Sequence, residues 1–307
     1  MPCVSGCGNA GCGTIRPGLE HPIMHRVIRW ISYGYVIKYR LSHAFRRRSG
    51  VNTQPRSLKV LVSLTSYPAR LPTVFLAIES LLNQTLKPDR IILWLSKTEV
   101  DAADIPASLI KLQSRGLDIR FVDENIKSYK KLVYAVETFS DHHIVTFDDD
   151  MMCPKWFLQR LYHTHRQHPD CLVAYRGRVM SKSGDRQLRP YHQWPFCNSA
   201  QHNGSGPSYN IFPTSGGGTW YPPHSLDARL SDRVFMTLCP TGDDIWFKAM
   251  SMLARTRAVM AQCNSVTFPT IHMQRSQART LWEHNRRAND RQLKAVFDHF
   301  NLYHLIT

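Results

Sequence analysis

Short apolar runs alternate with amphipathic ones along the first half of the chain. Residues 59–64 read Lys-Val-Leu-Val-Ser-Leu, a β-rich run of the kind a buried strand carries. Val74, Ile78, Leu81 and Leu82 then fall at helical spacing and predict a helix over 71–82. The alternation continues with a strand over 90–95, a helix over 109–113, a strand over 117–122, a helix over 130–139 and a strand over 143–147. Strands separated by helices predict an α/β chain with a Rossmann-like, mostly parallel central sheet flanked by helices. Ligands of such a sheet gather beyond the carboxyl ends of its strands.

The second half is less regular. A helix is expected over 156–168, a strand over 172–175, a long polar loop over 181–208 and a strand over 234–238. A helix over 243–253, a last strand over 266–271 and C-terminal helical structure over 275–302 follow. Residues 52–56 are polar, carry Pro55 and read as a linker. They divide a basic N-terminal extension over 1–57 from a main domain over 58–307.

Composition narrows the class. With 43% hydrophobic and 20% charged residues the chain has an ordinary globular balance, which excludes wholesale disorder. The longest uncharged apolar run near the N-terminus, residues 30–37 between Arg29 and Lys38, falls well short of the ~18–20 residues a membrane span needs. Neither a spanning helix nor a cleavable signal is therefore expected. Five of the eight cysteines are scattered singly, which suits reduced thiols and a cytoplasmic location. The spacing of Cys3, Cys7 and Cys12 matches no common zinc pattern and reads as a Gly/Cys-rich tail.

Charge is unevenly spread. The formal net charge is +16, and residues 1–58 hold nine Lys/Arg against the single acid Glu20. Ile23, Val27, Trp30, Ile31, Tyr35 and Ile37 interleave with that basic stretch. Two readings fit equally: a basic helix packed on the main domain, or one lying on an anionic membrane surface, peripheral on the inner face of the cytoplasmic membrane. No nucleic acid is expected as a partner, because no reading module accompanies the basic residues.

The sharpest chemical signal is Phe147-Asp148-Asp149-Asp150, at the end of the fourth expected strand. In extended chain Asp148 and Asp150 share a face and Asp149 points away. Two carboxylates ~5 Å apart repel by about 3 kcal/mol at an effective dielectric of 20. A cleft holding both needs bulk water or a cation, and hard oxygen ligands with open positions suit Mn²⁺ or Mg²⁺. An exposed acidic turn would need no ion, but the carboxyl strand end of an otherwise basic chain favours a site.

Further motifs complete a resemblance. The order Val62-Ser63-Leu64-Thr65-Ser66-Tyr67, then Ile78-Glu79-Ser80-Leu81-Leu82-Asn83-Gln84-Thr85 with Pro88-Asp89, then Asp148-Asp149-Asp150, then Gly242-Asp243-Asp244 resembles GT-A-fold glycosyltransferases. The nearest type is the bacterial family-2-like group of surface-polysaccharide assembly, over roughly residues 58–275. The resemblance implies a GT-A sheet and a metal-dependent transfer, usually inverting, of a sugar such as a hexose. The donor would be a nucleotide diphosphate sugar, a UDP-sugar first, and the acceptor a glycan or lipid-linked hydroxyl. It places Thr65, Ser66, Tyr67 and Arg70 at the nucleotide, Asp123 at the base or ribose, and Lys130 and Lys131 at the phosphates. Asp148 and Asp150 fall on the metal- and ribose-binding Asp-x-Asp, with Asp149 between them in the nucleotide-sugar site. Asp244 falls on the catalytic base with Asp243 before it, and His272 on a C-terminal metal ligand. The chain departs from the pattern at Trp94-Leu95-Ser96, where Asp-Asp-Gly-Ser is common. It also lacks Gln-x-x-Arg-Trp, which speaks against a processive synthase.

Three stretches have plainer readings beside the functional ones. Thr241-Gly242-Asp243-Asp244 resembles a helix cap, where acids are favoured by ~0.3–1 kcal/mol through the dipole. Gly216, Gly217 and Gly218 allow close backbone approach to a ligand, and Trp220 and Tyr221 offer flat faces to a sugar ring; a loop with core aromatics is the alternative. His163, His165 and His168 suit a solvated helical face better than a zinc site. Two rival functions use the same signals: a nucleotidyltransferase with paired aspartates and a metal, and a non-catalytic basic protein binding membrane or nucleic acid.

Overall fold

The computed structural model describes residues 22–198, 206–262, 265–271 and 275–307, of which 22–28 and 275–287 by their backbone alone. A first helix, α1 (Pro22–Phe45), precedes the alternating series β1 (Val60–Thr65), α2 (Leu71–Leu82), β2 (Arg90–Ser96), α3 (Ala107–Gln113), β3 (Leu117–Val122), α4 (Lys130–Thr138) and β4 (His143–Thr146). Each of the seven from β1 to β4 lies within two residues of its expected bounds. Alternate strand residues serve two cores. Val60, Val62 and Leu64 pack on one side with α2 and α3, and Leu61 and Ile92 on the other with α4. A strand buried on both faces must be apolar throughout, which explains the unbroken runs.

The second half adds α5 (Phe157–Gln167), β5 (Leu172–Ala174), β6 (Gly177–Val179), β7 (Lys182–Gly184), β8 (Gln187–Leu188), β9 (Ile211–Pro213), β10 (Thr219–Tyr221), α6 (Phe235–Leu238), α7 (Asp243–Leu253), β11 (Ala258–Met260) and α8 (Arg275–Phe300). The central sheet has seven strands in the order β11-β5-β10-β4-β1-β2-β3. All run parallel except β10, which is antiparallel to both β4 and β5. The chain winds outward from β1 to β3 and then returns to lay β4 on the other side of β1. That reversal opens a crevice at the carboxyl ends of β1 and β4.

Three expectations are corrected here. Residues 234–238 form no strand: Asp232 caps Val234 N–H at 3.0 Å, and Phe235 stacks on Tyr129 with ring centroids 4.1 Å apart, within a short helix. Residues 266–271 form no ladder strand, only a bridge from Thr270 to Met151. Phe268 and Ile271 are buried, and backbone bonds from Met152 N to Pro269 O (2.8 Å) and from Ile271 N to Asp150 O (2.7 Å) tie the segment to the acidic triplet. The last sheet strand is instead β11. The polar stretch 181–208 also holds the small hairpin of β7 and β8.

The first helix packs its Tyr39 face on α2. Tyr39 Oη donates to Cys153 O at 2.7 Å, and Ser42 Oγ donates to the buried Glu79 at 2.9 Å. Arg115 Nη1 pairs with the same carboxylate at 2.5 Å, so Glu79 joins α1, α2 and the turn after α3. Among the described residues no helix is long and apolar enough to cross a membrane. The described cysteines 153, 171, 197 and 239 are unpaired and buried.

One buried group is costly. Lys248 of α7 is buried, and its Nζ has no hydrogen-bond partner among the described residues. Burial lowers it to about 7, with the Cys197 sulfur a weaker opposing influence. The unfolded chain keeps that proton up to about pH 10, so stability rises with pH between about 7 and 10. Lys248→Met should therefore raise stability by on the order of 2–4 kcal/mol at pH 6–7 and much less at pH 10, read from urea midpoints across pH.

Candidate active site

Register brings the two loop exits level. Ser63 of β1 pairs with Thr146 of β4, and Phe147 N–H continues the ladder to Ser63 O at 3.1 Å. The loop after β1 and the acidic triplet after β4 thus leave the sheet side by side. Asp149 turns inward, buried, and accepts from Ser66 Oγ at 2.6 Å and from Arg70 Nη1. Arg70 Nη2 also reaches Asp150 Oδ2 at 3.1 Å. Asp149 is therefore the clamp between the two loops, and Asp148 and Asp150 are the carboxylates left at the crevice. Their side chains remain 39% and 33% exposed, and their ion pairs fall on one oxygen each, Oδ1 of Asp148 and Oδ2 of Asp150. Burial, then the Asp148 charge, pushes Asp150 up to about 6.

Lys131, buried in the first turn of α4, joins the triplet to the acid pair at the start of α7. Its Nζ lies 2.9 Å from Asp148 Oδ1 and 3.0 Å from Asp243 Oδ2. The second contact is an ion pair without hydrogen-bond alignment. Burial opposes the ammonium charge, but Asp148, Asp243 and Asp244 outweigh it and hold Lys131 well above its ordinary value.

Asp244 accepts at Oδ1 from Ser215 N–H at 2.8 Å and from Ser215 Oγ at 2.5 Å. Burial and the Asp243 charge nonetheless push it up to about 7. Ser215 is itself fixed, since its carbonyl accepts from Thr146 Oγ1 at 3.1 Å. Asp243 and Asp244 line a cavity of ≈ 470 Å³ together with Arg176, Arg178, Tyr191 and Thr241. Among the described residues neither Arg176 nor Arg178 pairs with a carboxylate; both stack on Phe196, at 5.2 and 4.1 Å from the ring centre.

The glycine stretch has a different task from the one expected. A Cβ on Gly216 would sit 1.8 Å from Asp148 Oδ2, so the contact partner is the triplet itself. Gly217 lies against the Arg176 side chain, and Gly218, at φ +96°, lies against Phe157. Trp220 is wholly buried in β10 and donates from Nε1 to His143 Nδ1 at 3.2 Å, which takes it out of reach of a sugar. Tyr221 is buried as well. Both face the helical layers because a short strand carries them into the sheet.

Other expected residues are dispersed. Lys130 points away from the triplet, to Asn125 Oδ1 at 2.8 Å and Glu99 Oε2 at 3.3 Å, which removes it from the phosphate position. Asp123 is 89% exposed and pairs with Lys97 at 2.8 Å. Thr65 Oγ1 donates to Trp94 O at 2.9 Å, and Tyr67 carries the Arg70 guanidinium 5.4 Å over its ring. His165 is buried and stacks on Trp220, so the histidine helix does not present its three imidazoles to solvent together. His272 and the three N-terminal cysteines lie outside the described residues.

Residues 78–85 have a structural role that sequence reasoning missed. Ser80 Oγ accepts from Cys153 N–H at 3.1 Å, Gln84 Nε2 donates to Pro154 O at 3.0 Å, and Gln84 Oε1 accepts from Leu158 N–H at 3.1 Å. This motif holds the chain just past Asp150. Arg176, Arg178 and Ser215 were also missed; no local pattern distinguishes them, since only chain crossing brings them beside Asp244.

The donor set of Asp148 and Asp150 fits a hard divalent ion with positions open to phosphate oxygens. Burial raises Asp150 most, and the Asp148 charge adds to it; that second, like-charge contribution is one such an ion would neutralise. Among the described residues no cluster of three or more His, Cys, Asp or Glu supplies a fuller set.

No known protein family matches the chain, and no curated protein matches it. Among solved structures it is similar to a mannosyltransferase from Pyrobaculum calidifontis in complex with GDP-Man and Mn²⁺. That likeness has a TM-score of 0.48 and 13% identity, over 91% of this chain and 81% of the other.

Lys131→Met should leave three carboxylates around a neutral side chain. A loss of ~3–5 kcal/mol is expected at neutral pH from breaking the buried pairing. The deficit should shrink as the pH falls through about 7, where Asp244 takes up a proton, and further below about pH 5. Chemical denaturation of the variant and wild type at both pH values checks this.

Proposed function

We propose that this chain is a GT-A-type, metal-dependent glycosyltransferase. It would transfer a sugar from a nucleoside diphosphate donor to a hydroxyl of a glycan or lipid-linked acceptor, with inversion, in surface-polysaccharide assembly. One observation carries the reading. Lys131 holds two carboxylate sets against each other, one at the switch-point crevice and one on a cavity lined by Arg176 and Arg178. Two acid-lined compartments bridged by one buried cation suit a charged donor on one side and a neutral nucleophile on the other, beside an Asp244 raised to about 7.

In this mechanism Asp148 and Asp150 would hold Mn²⁺ or Mg²⁺, which would supply positive charge against the leaving diphosphate. Arg70 keeps the loop after β1 against the triplet, so Tyr67 and Ser66 frame the nucleotide side of the crevice. The acceptor lies in the cavity flanked by Arg176 and Arg178. Its hydroxyl oxygen forms the new bond to the anomeric carbon, from the face opposite the breaking carbon–oxygen bond. The hydroxyl proton passes to Asp244, whose Oδ1 is anchored by Ser215 and whose raised value makes it a competent base near neutral pH. Asp243 pairs with Lys131, and its charge supports the raised value of Asp244.

The test is product analysis with a panel of nucleotide sugars, UDP-sugars first, and Mn²⁺. Release of nucleoside diphosphate supports the reading, and release of pyrophosphate points to nucleotidyl transfer instead. Asp150→Ala and Asp244→Asn should each lower turnover by ~10²–10⁴-fold with thermal midpoints near wild type. Full turnover in excess EDTA, or in either variant, would sink the assignment. In the wild type kcat/KM should rise with pH to a plateau, with an apparent midpoint of about 7, because only ionised Asp244 accepts the proton. A flat profile between pH 5 and 8 would remove Asp244 from the base role.

A further inference from the structure

Helix α1 buries one face and leaves a second apolar face open. Ser32 and Tyr39 are wholly buried against the domain. On the other side Trp30 is 75% exposed, Ile37 60%, Leu41 53% and Phe45 77%. Of the nine large hydrophobic side chains exposed among the described residues, six belong to this one helix, so the exposure is a feature of α1 and not of the surface at large. At about 100° per residue, Ile37 and Leu41 fall within about 20° of Trp30, and Tyr33 and Phe45 about 60° to either side. Arg40 and Lys38 flank this stripe at about 80° to its two sides, and Tyr39 lies opposite it. Apolar centre and basic margins are the layout of a helix lying in a membrane interface.

A second feature sits at the end of the stripe. Phe45, Arg46, Arg47, Arg48, Lys87 and Arg115 line a recess of ≈ 650 Å³, and no carboxylate lines it. Residues 29–48 hold six Lys/Arg and no acid. Such a recess suits a phosphate headgroup at the level where Phe45 enters the acyl region. A second copy of the chain would bring like charge against like across the stripe. A nucleic acid would use the arginines and leave the apolar face in water.

We infer that α1 docks this protein on an anionic lipid bilayer, with Trp30, Ile37, Leu41 and Phe45 inserted and the recess at Arg46–Arg48 holding a lipid phosphate. Docking is independent of the proposed sugar transfer and needs no donor to observe. The full chain is incubated with vesicles of phosphatidylcholine containing about one third phosphatidylglycerol, or of phosphatidylcholine alone, and co-sedimentation is measured. At least ~10-fold stronger partition to the anionic vesicles is expected, with a blue shift of tryptophan emission. The triple variant Trp30→Ser, Ile37→Ser, Leu41→Ser, altered only at exposed positions, should lose ~10-fold or more of that partition with an unchanged thermal midpoint. Arg47→Gln with Arg48→Gln should weaken it and reduce its salt dependence. Wild-type chain left in the supernatant, or binding untouched by the triple change, overturns the inference. So does a stripe-dependent dimer in sedimentation velocity with no vesicle binding.

Discussion

A buried ammonium surrounded by carboxylates is the interaction on which the site depends. Lys131 stands between Asp148, at the end of β4, and Asp243, at the start of α7, at 2.9 and 3.0 Å. Those aspartates come from elements nearly a hundred residues apart in the chain. Without a cation between them, two acidic sets would face each other in a poorly solvated cleft, where like charges repel most strongly. The lysine turns that conflict into an attraction. The adjacent acids also differ in partner: Asp243 lies against Lys131, while Asp244 accepts from Ser215 and is raised by burial and by its neighbour. Inequality between adjacent acids is what separates a structural carboxylate from one suited to proton transfer.

The backbone around this lysine is built to allow close approach. Gly216 has no room for a Cβ because Asp148 occupies the space. Its neighbour Ser215 spends its N–H and hydroxyl on Asp244 and its carbonyl on Thr146. The turn before β10 is thus a spacer that sets the distance between triplet and acid pair. The antiparallel β10, inserted between β4 and β5, carries that turn to the carboxyl end of the parallel strands. A parallel strand there would have delivered its own carboxyl end to the site and its preceding turn to the far edge of the sheet.

Much of the frame was legible from local pattern. Strands buried on both faces must be apolar throughout, and helices that cover a sheet must be amphipathic, so β1 to β4 and α2 to α4 could be read nearly residue by residue. Asp148 and Asp150 were legible for the same reason, because a polar cluster at the end of an apolar strand has few places to go. Short strands carried no such signal. Residues 234–238 are as apolar as a strand, but capping by Asp232 and stacking of Phe235 on Tyr129 made them a helix turn. Trp220 and Tyr221 beside three glycines read as a loop, yet three residues paired on both sides suffice for a sheet strand.

What the chain's own order determined was the α/β alternation, the mostly parallel sheet, the acidic turn after β4 and the acids opening α7. Periodicity and strand-end position are local properties, and they survive without knowledge of the fold. Which charges meet was decided only in three dimensions. Lys130 and Lys131 are equivalent in sequence, but helix α4 turns the first toward Asn125 and the second into the acids. Adjacent helical residues differ by about 100° in direction, and only the packing of α4 on the sheet says which of them faces the site.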